Sequence, residues 1–138
     1  MRPLRPRQRL RALTTLVEAG IDVGVGMAPI LPGLSDRPEQ LAEVVKAVRA
    51  AGATGVWANL LYLKPGTKEH FLEALAHDWP EQLERYERLY AGRAYLPLSE
   101  VDPVRGRVRA LAREHGVRDR RVKRLAPPPE PVQLSLGM

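Results

Sequence analysis

Cysteine is missing from this 138-residue chain, which excludes disulfides, thiolate metal sites and iron–sulfur ligation by the chain itself. Aromatic residues make up only 5%, so any core has to be built mainly from Leu, Val and Ala. His70, His77 and His115 are scattered, and the first two are too far apart for the i,i+4 pair of a helical metal site, so all three read as solvated positions. No run approaches the ~18 apolar residues of a membrane span. The basic N-terminus is not followed by the apolar stretch and cleavage pattern of a signal peptide. These absences lead to the expectation of a cytoplasmic protein without membrane contact. Paired carboxylates, a nucleophile–base pair and a phosphate loop are also lacking. Gly24-Val25-Gly26 opens like a dinucleotide fingerprint, but the third glycine would fall at Pro29.

What the chain does have is ordinary hydrophobicity (44%), a formal net charge of +6 and a sequence pI near 10.2. A surplus of positive charge favours polyanionic partners: nucleic acid, anionic lipid or phosphorylated ligands. Residues 5–19 place Leu10, Leu13, Leu16 and Val17 at helical spacing, and Gly20 suits the left-handed position after a helix. A short apolar stretch from Ile21 follows and reads as a strand ending near Pro29; its glycines indicate close approach of a packed helix or a ligand. Residues 36–51 form the clearest helix, with Leu41, Val44, Val45 and Val48 on one stripe, Asp36 and Glu39 as a capping pair, and Gly52 as the stop. Residues 54–63 predict a second strand, halted by Pro65-Gly66. Thr67 is placed to cap a third helix, Trp79-Pro80 restarts a fourth, and Asp102-Pro103 suits the start of a last helix ending near His115.

The middle of the chain is therefore one βαβ unit with a parallel strand pair. Both strands are nearly continuous apolar runs, the kind found in parallel sheets covered on both faces. Two parallel strands alone make a poor sheet, because each exposes an edge and little apolar area is buried. Further strands are expected from a longer natural protein or from a partner, with homodimerisation or domain swapping as the alternative. A basic lead directly into a helix that precedes a strand is where a cut between (β/α) repeats would fall.

The run Ala28-Pro29-Ile30-Leu31-Pro32-Gly33-Leu34-Ser35-Asp36, preceded by Glu18-Ala19-Gly20-Ile21, resembles radical SAM proteins of the spore-photoproduct-lyase-like, DNA repair photolyase group. So do Ala50-Ala51-Gly52-Ala53, Leu60-Leu61-Tyr62-Leu63-Lys64-Pro65-Gly66, Phe71-Leu72 and Arg85-Tyr86-Glu87-Arg88-Leu89-Tyr90. The resemblance implies an α/β fold in which residues 1–98 are the C-terminal half of a partial (β/α)6 barrel. It also implies a [4Fe–4S] cluster, held in the family by a Cys-x3-Cys-x2-Cys loop, and S-adenosylmethionine as the source of a 5′-deoxyadenosyl radical. That motif is absent here, so this chain alone is expected to hold neither cofactor and to be inactive without the missing N-terminal barrel half. By the same resemblance Pro29, Ile30 and Leu31, with Leu61, Tyr62 and Leu63, end near the adenosine of the cofactor.

Residues 99–124 read as a basic helix and arm. From Arg105 to Arg124 there are nine Lys or Arg against Glu114 and Asp119. Arg105, Arg109 and Arg113 share a helix face, and Arg120 and Arg121 follow; together they could track a phosphate backbone with salt-sensitive affinity. No aromatic is interleaved, so base stacking has no support from the sequence. Residues 125–138, with Pro127, Pro128, Pro129 and Pro131, read as a disordered, extended tail. Gln133-Leu134-Ser135-Leu136 resembles the bacterial sliding-clamp-binding peptide, with Gln133 at the pocket rim and Leu134 and Leu136 filling it; Gly137 stands where that peptide has Phe. DNA and the sliding clamp are thus the expected macromolecular partners. The rival to a radical SAM fragment is a noncatalytic basic module that binds nucleic acid or the clamp.

Overall fold

One stop signal ends three of the helices. The computed structural model describes residues 5–117. Helix α1 (Pro6–Glu18), α2 (Pro38–Ala50) and α5 (Leu98–Glu114) each end on a glycine with positive φ: Gly20, Gly52 and Gly116. In each, the glycine N–H and the next N–H turn back onto the last helical carbonyls, as in Ala53 N to Val48 O at 3.2 Å and Val117 N to Ala112 O at 2.7 Å. This is the Schellman arrangement, which satisfies orphan carbonyls and needs a residue tolerant of the left-handed region. At Gly52 the constraint is doubled, because a Cβ there would sit 2.8 Å from Val17 Cγ1.

Helix starts follow a different rule from the one the sequence suggested. The cap of α2 is Arg37, whose N–H donates to Gln40 Oε1 at 3.1 Å, while Pro38 takes the first helical position. Asp36 instead accepts from Gly33 N at 3.0 Å and fixes the preceding turn. Helix α3 (Thr67–Asp78) is capped by Gly66, whose N–H meets Glu69 Oε2 at 2.6 Å, so Thr67 is inside the helix. A single 3-10 turn (Pro80–Gln82) leads into α4 (Leu83–Leu89). The last helix begins at Leu98, not at Asp102-Pro103; Pro103 lies within its second turn. Val101 explains the earlier start, since it is buried and the turn that carries it must be helical to reach the core.

Strands β1 (Gly24–Ile30) and β2 (Gly55–Leu60) pair in parallel, with Gly24 opposite Gly55, Gly26 opposite Trp57 and Met27 opposite Ala58. Both are shorter than the apolar runs that announced them. Pro29 has no N–H for a ladder, and the register shifts between Met27 and Ile30, the usual accommodation of a strand proline. The Ala28–Pro29 bond is cis.

Residues alternate by size across the sheet. Val25, Met27, Val56 and Ala58 face a core completed by Leu41, Val45 and Val48 of α2 and Val108 and Ala112 of α5. On the other face Gly26 and Ala28 are exposed, and the Trp57 indole lies across Gly26, 3.0 Å from where a Cβ would be. The close approach at Gly26 is thus made by a tryptophan of the neighbouring strand, not by the packed helix or ligand that the strand glycines suggested. The expected cover is thus present on one face. Among the described residues the sheet has two strands, and no third strand borders β1.

A second core lies beyond the C-terminal ends of the strands. Leu61, Leu63, Leu75, Tyr86, Tyr90, Leu96 and Val101 pack together there, bordered by Leu31, Leu34, Phe71 and Leu83. Tyr86 and Tyr90 are fully buried, and their hydroxyls donate to Pro32 O and Leu61 O, both at 2.6 Å. These bonds tie α4 to the residues that follow each strand.

Candidate functional site

The six residues assigned to the cofactor do lie where the two strands end, but they divide between core and surface. Ile30 belongs to the first core, and Leu61 and Leu63 to the second. Leu61 continues the pairing through its N–H to Ile30 O at 3.0 Å, and Leu63 N donates to Ala94 O at 2.9 Å. Leu31 is half-buried; its N–H meets Ser35 Oγ at 2.8 Å, and its carbonyl accepts from Leu34 and Ser35 in the turn that follows. Pro29 and Tyr62 are the two that face solvent.

Tyr62 leads to a feature the sequence did not announce. Its ring stacks on Tyr95 with centroids 4.4 Å apart and planes 24° from parallel. The Leu63–Ala94 hydrogen bond holds the two segments side by side and so brings the rings together. The pair helps line a groove of about 500 Å³, together with Asn59, Leu60, Leu61, Leu96, Leu98, Val101 and Arg105. Only Leu61 and Tyr62 of the six assigned positions border it; Pro29, Ile30 and Leu31 do not.

Arg105 is the charged residue of the groove. It is half-buried, with Nε 3.3 Å from Ala58 O and Nη2 3.5 Å from Asn59 Oδ1, which places the guanidinium near the end of β2. Arg109 and Arg113 follow on α5 and are exposed, with Arg109 Nε 3.5 Å from Arg105 O. The predicted basic face therefore has a docked root and two projecting members. Arg120, Arg121, Gln133, Leu134 and Leu136 lie outside the described residues.

Burial sets the chemistry of the tyrosines behind the groove. It pushes the Tyr86 phenol up to about 12, with Arg85 opposing and Asp36 adding to the shift. Tyr90 is displaced further in the same direction, by burial first and by Tyr86 second. Both are held as neutral donors, which suits anchoring and not proton transfer near neutral pH. Among the described residues no group of three or more His, Cys, Asp or Glu is placed to hold a metal ion. With no cysteine in the chain, the donor set does not fit an iron–sulfur cluster.

These features define a class: an α/β segment built on one parallel βαβ unit, with a groove at the end of its second strand. No family model and no solved structure matches the chain. It is 41% identical over 106 residues to Uncharacterized protein Rv2578c of Mycobacterium tuberculosis, a match covering 77% of this chain and 31% of that protein. Uncharacterized protein Mb2609c of Mycobacterium bovis gives the same figures. Similarity extends to a Biotin synthase of Desulforudis audaxviator at 32% over 123 residues, covering 88% of this chain and 33% of that enzyme. The chain spans about a third of the length of the curated relatives it matches. No helix among the described residues is long and apolar enough to cross a membrane.

Proposed function

We propose that this chain is the C-terminal portion of a radical SAM-type (β/α) barrel whose cluster-binding portion is supplied by other polypeptide. One observation supports this above the rest: the similarity to biotin synthase, a radical SAM enzyme, over nearly the whole chain but only a third of that enzyme. The fold is consistent with it, since a two-stranded parallel sheet with one open face and an edge without a strand partner among the described residues is suited to receive further strands. The finer reading, a spore-photoproduct-lyase-like member acting on nucleic acid, rests on the Ala28–Asp36 stretch, and a cytoplasmic setting goes with it. In this reading Pro29, Leu31 and Tyr62 present surface toward S-adenosylmethionine, while Ile30, Leu61 and Leu63 shape the strand ends from within the cores.

The reading is tested on the longer polypeptide. Its upstream sequence is expected to contain a Cys-x3-Cys-x2-Cys loop. The protein purified without oxygen should bind a [4Fe–4S] cluster and, on reduction, convert S-adenosylmethionine to 5′-deoxyadenosine and methionine. An upstream region without such cysteines, or a protein that takes up no cluster, would remove the proposal. For the tail, Gln133→Ala with Leu134→Ala is expected to weaken sliding-clamp binding in calorimetry.

A further inference from the structure

We infer that the groove at the end of β2 receives a base of single-stranded nucleic acid, stacked on Tyr95, with the α5 arginines following the phosphates. The inference concerns binding by this segment and does not depend on the radical SAM reading.

Three observations converge. The first is the aromatic platform. Tyr95 is 69% exposed and Tyr62 43%, yet their rings are already stacked, so Tyr95 is backed by a second ring and by the Leu63–Ala94 hydrogen bond. A flat π-surface held in this way stacks any base with little further ordering. Leu98, 66% exposed, extends the same apolar rim.

The second is Arg105. Its Nε lies 3.3 Å from Ala58 O and its Nη2 3.5 Å from Asn59 Oδ1, and it lines the same groove as the aromatic pair. A guanidinium has five N–H donors, and the two directed at the protein leave others for a phosphate or a base edge.

The third is direction. Arg109 and Arg113 are exposed and lead away from the groove along α5, each step of four residues rising about 6 Å. A base in the groove thus has a row of cations beside it along which a phosphodiester chain can run. Lys64 and Arg93, both exposed, flank the tyrosine pair in sequence. Asp102 lies near the arginine face by helical spacing and opposes the rest; Glu100 and Glu114 fall on the far side. With a net charge of +6 the balance favours a polyanion. The sequence offered no aromatic among these arginines; the fold brings two from other segments.

The test is fluorescence anisotropy of the full chain with a labelled single-stranded oligonucleotide, repeated over a range of salt. Single strands are expected to bind more tightly than a duplex of the same sequence. Tyr95→Ala should weaken binding about 5- to 150-fold, the range for loss of one stacked base, and Tyr95→Phe should restore it. Arg109→Gln and Arg113→Gln should each lower the magnitude of the salt slope by about 0.7. Asp102→Asn should tighten binding. Equal affinity for single strand and duplex, with Tyr95→Ala behaving as wild type, would reduce the contact to unspecific charge and overturn the inference. So would the absence of binding at low salt.

Discussion

The two cores of this protein are held by different means. The one beneath the sheet is aliphatic: Leu41, Val45, Val48, Val56 and Val108 fill it, and no polar or charged residue among the described residues belongs to it. The one beyond the strand ends is organised around two tyrosines whose hydroxyls reach Pro32 O and Leu61 O. Packing alone is tolerant of rearrangement, whereas a buried hydroxyl with one acceptor specifies a position. The aliphatic core thus supplies stability to the βαβ unit, and the tyrosine core fixes where the strand ends, and with them the groove, stand in space.

Substitutions can break that contrast. Leu41→Ala empties a fully buried site in the aliphatic core and should cost about 2–5 kcal/mol in urea unfolding. Tyr86→Phe keeps the ring but leaves the Pro32 carbonyl without its donor, a loss of about 1–3 kcal/mol. If the two cores are separable, its effect on amide exchange will concentrate in α3 and α4 and spare β1 and β2; equal loss of protection in both would show one cooperative unit. Gly52→Ala places a side chain at φ 91° and against Val17, for about 1–2 kcal/mol, felt where α1 meets the βαβ unit. A separate effect is expected from alkali. Tyr86 favours its neutral form in the fold, so its contribution is complete below its ordinary value of 10.0 and is lost as the pH rises through about 12. Wild type should lose stability over that window, measured by urea unfolding, and Tyr86→Phe should lose less.

How far these regions could be read from sequence follows the same division. The aliphatic core obeys local periodicity, so Leu41, Val45 and Val48 were legible as one stripe and Gly20 and Gly52 as stops. Helix starts were less legible: Asp36 and Thr67 are good caps by type, but the turn at Gly33 claimed the first and the backbone of Gly66 displaced the second. Pro103 was read as a beginning because a proline so often is one, while the burial of Val101 placed the start a turn earlier. The tyrosine core and the groove were illegible for a physical reason. Tyr86 and Pro32 are 54 residues apart, and Tyr62 meets Tyr95 only because α3 and α4 return the chain to the end of β2. No local pattern carries such a pairing.

The indole that lies across Gly26 has a practical consequence. Trp57 is half-covered and sits on the sheet face whose neighbours Gly26 and Ala28 meet solvent, whereas Trp79 is exposed on the helical side. Their emission should therefore be separable, with Trp57 the bluer fluorophore. With Trp79→Phe, a single optical signal would report directly on whatever comes to rest against that face, and a blue shift on adding a companion polypeptide would register its arrival in real time.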